Sequence, residues 1–419
     1  MTSHEGYLIT KTGFFKRSKR KYFILQGSTL IMKKSPNSTK IKHICELDKE
    51  TLVNYYSSKD HDAISIMQGK KKYEFTSKDK EDLLRWLLDL RTVTFCTANL
   101  TMESFKIISV IGRGFFGKVM LVSMISTGQI FALKTIHKEK LIHSGRVKTV
   151  LAEREILGKI NHPFIEKLEF AFQTPTKFYI GLEYISGGDL QSQIENHISK
   201  DDVPLYIAEI AIALQFLHSK GIIYRDLKPE NILIAKDGHL KLVDFGLSKD
   251  ISDSNTTKTF CGTADFLAPE IIVLKPYSYE VDWWTLGILL YELLYCKNPF
   301  HDDNKDRFYF NVTQGKLSFP DDADPVAVDL ISHLLDRDMK KRYGFDQVMN
   351  HEFMSGLNEN DVYNKKYTPH FVPELKNEED VKYCDPECVN EPAVDSIATL
   401  PLGEDQRFQG FSYSNLTFD

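Results

Sequence analysis

Tyr224-Arg225-Asp226-Leu227-Lys228-Pro229-Glu230-Asn231, followed thirteen residues later by Asp244-Phe245-Gly246, decides how this chain is read. Asp226, Lys228, Asn231 and Asp244 form a set suited to phosphoryl transfer from a metal-bound nucleotide. That reaction needs positioning and cancellation of negative charge more than covalent help. Asp226 can accept the proton of an attacking hydroxyl. Lys228 can sit against the transferring group. Asn231 and Asp244 offer the hard oxygen ligands that Mg²⁺ prefers.

Working outward, the apolar strand Lys106 to Ile111 runs into Gly112-Arg113-Gly114-Phe115-Phe116-Gly117. Alone, this run also fits a dinucleotide-binding fingerprint. Against that, Lys118 to Val122 continues as a strand where a helix is required, and no acid lies between Gly117 and Lys138 to hold a ribose. A glycine-tipped hairpin laid over phosphates fits better. Phe131 to Lys134 is the next strand. Lys134 can pair with nucleotide phosphates and with an acid on the following helix, Glu153 or, failing it, Glu155.

These motifs, in this order, resemble protein kinases. The resemblance implies a bilobal fold that binds ATP and Mg²⁺. Ile111, Gly112, Gly114, Gly117, Val119, Ala132 and Lys134 would line the nucleotide site. Glu153 would be the partner of Lys134, and Glu183-Tyr184-Ile185 the hinge against adenine. Asp226, Lys228 and Lys134 would be catalytic, and Asn231 and Asp244 would hold the metal. Pro204 to His218 reads as an amphipathic helix leading to the catalytic loop, and Trp283 to Cys296 as a buried helix too short to span a bilayer. Arg342 can pair with Glu270 as a buried ion pair.

At 419 residues the chain needs two or three domains. The six cysteines are scattered without zinc spacing, as reduced cytosolic thiols would be. The start shows no signal peptide. The net charge of −5 hides an asymmetry: residues 1–95 carry 19 Lys and Arg against 11 Asp and Glu, a net of +8, leaving −13 for the rest. A basic N-terminal module on an acidic body points to an anionic partner for the module alone.

Five short strands are expected in that module: 7–9, 21–25, 28–32, 63–67 and 72–75. After them Leu83, Trp86, Leu87 and Leu90 lie on one face of a helix from Lys80 to Val93. The module resembles a pleckstrin-homology domain, carried by Gly6-Tyr7-Leu8, the basic run before Tyr22-Phe23, and Trp86. The resemblance implies that Lys11, Lys19, Arg20 and Lys21 grip the phosphates of an inositol lipid, at a membrane that already attracts cations. Lysine at position 21, in place of the arginine of stronger binders, lacks the bidentate fork. A solvated basic face, or a protein-binding module, is the alternative.

The C-terminal part resembles the AGC group through Tyr224, Thr259-Phe260-Cys261-Gly262, the run Asp336 to Gly344 and the ending Phe408-Gln409-Gly410-Phe411-Ser412-Tyr413. The domain order is similar to the protein kinase B family. The tail segments Asn364 to Pro369, Asp385-Pro386-Glu387 and Asn390-Glu391-Pro392 are similar to the serum- and glucocorticoid-regulated kinases. The resemblance implies a serine/threonine kinase for basic protein substrates, which Asp189, Glu230 and Glu292 would recognise. It also implies activation by upstream kinases at Thr259 and Ser412, with Arg225 and Lys249 pairing with the first phosphate, and Ser396 or Thr399 as a further tail site. Its expected location is the cytoplasm, with recruitment to the plasma membrane and no role for nucleic acid. The chain departs from the group at Thr149, at Ala264-Asp265-Phe266 and at Cys384, which stands where a tail phenylalanine packs near adenine.

The expectation is thus an α+β multidomain chain: residues 1–95 a pleckstrin-homology-like β-barrel capped by a helix, 96–104 a linker, 105–353 a bilobal kinase domain, and 354–419 an extended tail. A catalytically inactive kinase-fold scaffold on phosphoinositide membranes is the competing reading. It would usually have lost one of the five charged or amide residues that are all present here.

Overall fold

The structure, a computed structural model, describes residues 3–12, 17–47, 51–57, 62–68, 71–77, 79, 82–83, 85–87, 89–90, 100–114, 116–195, 198–252, 254–396 and 411–414. In the N-terminal module, β1 (Ser3–Thr12), β2 (Arg17–Gln26), β3 (Thr29–Lys33), β4 (Ile41–Glu46), β5 (Leu52–Ser57), β6 (Asp62–Gln68) and β7 (Lys71–Thr76) make one antiparallel sheet. Their order is β4-β3-β2-β1-β7-β6-β5. The sheet curls: Tyr73 Oη of β7 donates to Ile44 O (3.1 Å) and Gln68 Nε2 of β6 to Glu46 O (2.6 Å), both on β4. Leu83, Trp86, Leu87 and Leu90 plug its inner face against Leu8, Phe23, Leu25, Ile64, Ile66 and Phe75.

The sequence reading counts five strands and so omits β4 and β5. Both are edge strands, each paired on one side only. In β4 only Cys45 is buried, so the apolar alternation that marks a half-buried strand is missing.

From Phe105 a second sheet forms the small lobe, with β8 (Phe105–Gly114), β9 (Gly117–Met124), β10 (Ile130–His137), β11 (Leu168–Gln173) and β12 (Lys177–Glu183). β8 and β9 make the hairpin expected of the glycine run. Gly117 has no substitute there, because a Cβ would lie 1.8 Å from Thr135 O on β10. The helix Val147–Leu157 crosses from β10 towards β11 and buries Glu153.

The large lobe is helical. Val203–Ser219 is not amphipathic as read from sequence: Leu205 through Leu214 are buried without a break. The helix lies between Glu280–Tyr295, the strand Leu240–Leu242, and the helices Phe345–Met349 and Glu359–Tyr363, so no face is left for water from Leu205 to Leu214, and exposure returns only at its C-terminal end, at Gln215 and Ser219. Glu280–Tyr295 is equally enclosed. Arg342 reaches Glu270 through two hydrogen bonds of 2.6 and 3.0 Å, both side chains buried.

The tail is attached at several points. Asp202 accepts from His370 N at 3.0 Å, and Lys177 Nζ binds Asp395 at 2.6 Å. Tyr413–Ser414 adds a strand beside Phe170 and Ala171 of β11, with Phe411 buried against Phe178 at 4.2 Å between ring centroids. Among the described residues no helix is long and apolar enough to cross a membrane.

Candidate active site

The catalytic loop is held from beneath by a residue the sequence reading did not single out. Asp282, fully buried on the helix Glu280–Tyr295, accepts from Tyr224 N (2.9 Å), Arg225 N (2.8 Å) and His218 Nε2 (2.8 Å). Its signal is an acid inside an otherwise apolar helix, which is costly unless every lone pair is used. The loop's backbone is strained as well as held: Arg225 (φ 69°) and Asp244 (φ 57°) occupy the left-handed region that non-glycine residues avoid. Such strain persists where surrounding bonds over-determine it, and it gathers at functional sites.

Asp226 sits at the centre of a closed network. Its Oδ1 accepts from Thr263 Oγ1 (2.9 Å) and its Oδ2 from Asn231 Nδ2 (2.7 Å), while Asn231 Nδ2 also donates to Asp226 O (2.9 Å). Lys228 Nζ donates to Thr263 Oγ1 (2.9 Å) and lies 3.5 Å from Asp226 Oδ2. Thr263 is therefore a further site residue, which the sequence reading did not single out. It brings the segment after Thr259 onto the catalytic loop.

Across the cleft, Lys134 Nζ lies 2.7 Å from Glu153 Oε1 and 3.3 Å from Asp244 Oδ1. Burial alone would lower the lysine pKa, but Glu153 and then Asp244 outweigh it and hold the ammonium charged. That ammonium in turn holds the Asp244 carboxyl below its usual range. Glu155, the other possible partner, pairs with Lys159 on the surface (2.9 Å).

Asn231 and Asp244 suit a divalent cation. The Asn231 amide nitrogen is committed to Asp226, which leaves its carbonyl oxygen, and Asp244 is an ionised, half-exposed carboxylate. Both are oxygen donors of the kind hard cations take.

At the other end of the cleft Ile185 packs with Leu233, Ala235 and Val243. The Glu183 carboxylate is occupied elsewhere, by Lys241 Nζ (2.6 Å) and Lys167 N (2.8 Å). Only its main chain is then left to face a base. Cys384 stands 3.6 Å from Tyr184 Oη, against the hinge. Ile111, Gly112, Gly114 and Val119 lie on the β8–β9 hairpin, and Ala132 on β10 opposite Leu182 of β12.

The remaining sequence-predicted residues fall into separate groups. Arg225 donates to Leu247 O (2.7 Å) and to Tyr277 Oη (3.4 Å), and Tyr277 Oη donates to Thr259 O (2.6 Å). Lys249 reaches Thr257 Oγ1 (2.9 Å), which lies 3.2 Å from Thr259 Oγ1. Each cation is thus one intermediary away from the unmodified Thr259. Glu292 feels the charges of Glu230 and of Asp265, an acid the sequence reading did not count among the recognition residues; Asp189 instead accepts from Ser192 N (2.8 Å).

In the N-terminal sheet, Lys19 stands opposite Thr10 and Lys21 opposite the buried Leu8. Arg20 stands opposite Ile9 on the other face, with its guanidinium 4.3 Å from the Tyr7 ring. Lys19 and Lys21 therefore do not share a sheet face with Arg20. The Lys11 side chain, Phe408 and Thr399 lie outside the described residues.

The family model described as "Protein kinase domain" matches residues 105–354, and that described as "PH domain" matches residues 2–95. The chain is 34% identical to the RAC family serine/threonine-protein kinase homolog of Dictyostelium discoideum, over 98% of this chain and 97% of that relative. It is 39% identical to serine/threonine-protein kinase Sgk2 of Homo sapiens, over 75% of this chain and 90% of the relative. With serine/threonine-protein kinase gad8 of Schizosaccharomyces pombe the figures are 41%, 76% and 58%. A protein kinase domain works on ATP with a divalent metal. With both domains matched and one relative aligned from end to end, the chain belongs to the AGC-type serine/threonine protein kinases that carry a PH domain ahead of the kinase domain.

Proposed function

We propose that this kinase phosphorylates proteins carrying basic residues near the target Ser or Thr, with Asp226 as proton acceptor and Mg²⁺ as the metal. The observation that carries this reading is the network joining Asp226, Asn231, Lys228 and Thr263. It leaves the carboxylate oriented by two donors and flanked by one cation. Asn231 and Asp244 would hold Mg²⁺, which would supply neutralisation of the phosphate charge. Asp226 orients the substrate hydroxyl and takes its proton, Lys228 offsets charge on the transferring group, and Lys134, fixed by Glu153, positions the phosphates. Turnover of a basic peptide with ATP tests the reading; a chain that binds nucleotide but transfers nothing would restore the scaffold alternative.

Recognition of substrate cations rests on the acids beyond the catalytic loop. Burial pushes Glu292 up to about 7; Asn298 opposes this, and Glu230 and Asp265 add to it. A carboxyl so raised is mostly neutral below that pH and ionised above it, and only the ionised form attracts an arginine. The preference for an arginine-bearing peptide over its alanine counterpart, read as a ratio of kcat/KM, is expected to rise by up to about tenfold between pH 6 and 8. The Glu292→Gln variant is expected to show a flat ratio. A wild-type ratio independent of pH would remove Glu292 from recognition.

Regulation by phosphate at Thr259 is supported by the two cations, each poised one intermediary away. A phosphate carrying about −1.5 to −2 charges could draw in Arg225 and Lys249 together and tie the segment to the catalytic loop. Thr259→Ala and Arg225→Ala are each expected to lower kcat of the phosphorylated enzyme strongly, and the pair to lose little more than either alone. Additive losses in that two-mutant cycle would place Arg225 in another role.

Ser412 lies between Phe411 and Tyr413, just ahead of the docked terminal strand Tyr413–Ser414, and Arg154 donates to the carbonyls of Phe411 and Ser412 (both 3.0 Å). A phosphate there would act on the docking of the tail. For the middle tail site, Ser396 is favoured by its Oγ contact with His137 Nε2 (2.8 Å) and by Lys177 beside it. Upstream kinases would supply both phosphates.

The PH domain would recruit the enzyme from the cytoplasm to phosphoinositide at the plasma membrane. Lys19 and Lys21, on one sheet face, are the favoured phosphate contacts, and Arg20 a weaker one. Replacing Lys19 and Lys21 together with Ala is expected to abolish sedimentation with phosphoinositide vesicles at physiological salt, where exposed charges are screened within about 8 Å. Arg20→Ala is expected to have the smaller effect, and equal losses in both variants would favour a diffuse basic face.

A further inference from the structure

Glu166 is a buried carboxyl that none of the steps above uses. It precedes β11, and its N–H donates to Leu242 O (2.9 Å), two residues before Asp244. The next residue, Lys167, is bonded to the hinge end of β12: Glu183 N donates to Lys167 O (3.0 Å), and Lys167 N to the Glu183 carboxylate (2.8 Å). Glu166 is thus wedged between the hinge and the strand that delivers the metal-binding Asp.

Leu168, the first residue of β11, shares a core cluster with Ala132, Ile180 and Leu182, on the same face of β10 that Lys134 occupies. Glu166 lies two residues ahead of that strand, between Ile165, which bridges Leu242, and Lys167, which is bonded to Glu183. The charged groups that act on it are those framing the nucleotide site: Lys134 of β10, Glu183 of β12, Glu153 of the helix Val147–Leu157, and Asp244. Tyr224, beneath the catalytic loop, senses it too.

No side-chain hydrogen bond to Glu166 occurs among the described residues, although the residue is only 8% exposed. An unpartnered buried polar group is costly, and a ligand would relieve it. Burial pushes this carboxyl up to about 8; Lys134 opposes the shift, and Glu183, Glu153 and Asp244 reinforce it. Near neutral pH it is therefore mainly the neutral acid, with one O–H donor beside one carbonyl acceptor.

We propose that Glu166 reads the base of the bound nucleotide, its carboxyl pairing with the 6-amino group and N7 of adenine. The proposal rests on the cleft being the ATP site. Adenine presents a donor and an acceptor on that edge, whereas guanine presents two acceptors. A neutral carboxyl matches adenine as a glutamine side chain does. The position is thus a determinant of base specificity at the rear wall, in addition to the hinge main chain.

The test compares kcat/KM for ATP and for 7-deaza-ATP, with a peptide substrate and the full chain, in wild type, Glu166→Gln and Glu166→Val at neutral pH. Wild type is expected to prefer ATP by about tenfold, the worth of one hydrogen bond to a buried group. Glu166→Gln is expected to keep that preference, and Glu166→Val to reduce it to within roughly twofold of unity. Equal use of the two nucleotides by wild type overturns the proposal, and that measurement needs no variant to fold. An unchanged preference in an active Glu166→Val enzyme overturns it as well. If wild type transfers phosphate from neither nucleotide, the reading of the cleft falls and the proposal with it; normal turnover with a flat ratio rejects the role of Glu166 alone.

Discussion

Replacing Asp226 with Asn is expected to lower kcat by about 10²- to 10⁴-fold, the usual worth of a positioned proton acceptor, while nucleotide affinity stays nearly unchanged. Asn keeps the size of the side chain and one carbonyl oxygen to accept from Asn231 Nδ2, and the Thr263 hydroxyl can rotate to accept from the new amide. The network around Asn231 (2.7 Å) and Thr263 (2.9 Å) can therefore stay closed. What is lost is the charge and basicity that draw the proton from the substrate hydroxyl. Lys134, Glu153 and Asp244 lie on the other side of the cleft and are untouched. Single-turnover transfer to a peptide, measured beside nucleotide binding by titration, separates the two effects. A variant that transfers at the wild-type rate would show that another group takes the proton. One that loses nucleotide affinity in parallel would show that Asp226 organises the metal site instead.

The second large effect concerns stability. Arg342→Ala is expected to cost about 3–5 kcal/mol, because it leaves the Glu270 carboxylate buried and unpaired. Arg342 does more than pair with Glu270. It also donates to Asp336 O (2.9 Å) and Glu280 O (2.8 Å), and its guanidinium lies 5.1 Å from the Trp284 ring. The side chain therefore ties together the segment after the activation loop, the start of the helix Glu280–Tyr295 and the final part of the lobe. For a domain of this size the loss corresponds to a fall in Tm on the order of ten degrees. Removing both charges, as Arg342→Met with Glu270→Leu, is expected to cost less than the sum of the single changes, since neither partner is stranded. Thermal unfolding of the three variants decides the matter, and strictly additive losses would mean that the two side chains act independently.

The chemistry of the site was legible in the sequence because it depends on residue type at short spacing. Asp226, Lys228 and Asn231 must share one turn of chain to converge, and the glycine hairpin must have Gly117 where β10 passes. Helix positions such as Leu83, Trp86, Leu87 and Leu90 could be read from their spacing, since one apolar face against one core obeys a simple period. The kinase order of motifs and the basic N-terminal module followed from the chain alone.

Tertiary structure decided what depends on partners distant in sequence. β4 and β5 carry little signal, because an edge strand needs only one neighbour and few buried side chains. The helix Val203–Ser219 reads as one-sided until the elements packed around it are known. Asp282, 58 residues from Tyr224, cannot be paired with the catalytic loop by spacing, nor Thr263 with Asp226. The division of Lys19 and Lys21 from Arg20 is a consequence of strand register, which a run of basic letters does not reveal. Glu166 is the sharpest case: in sequence it is one acid among many, and only the fold surrounds it with Lys134, Glu153, Glu183 and Asp244 and takes away its water. Residue type sets which chemistry is possible over a few bonds, whereas burial, pairing and protonation depend on the field of groups brought together by folding.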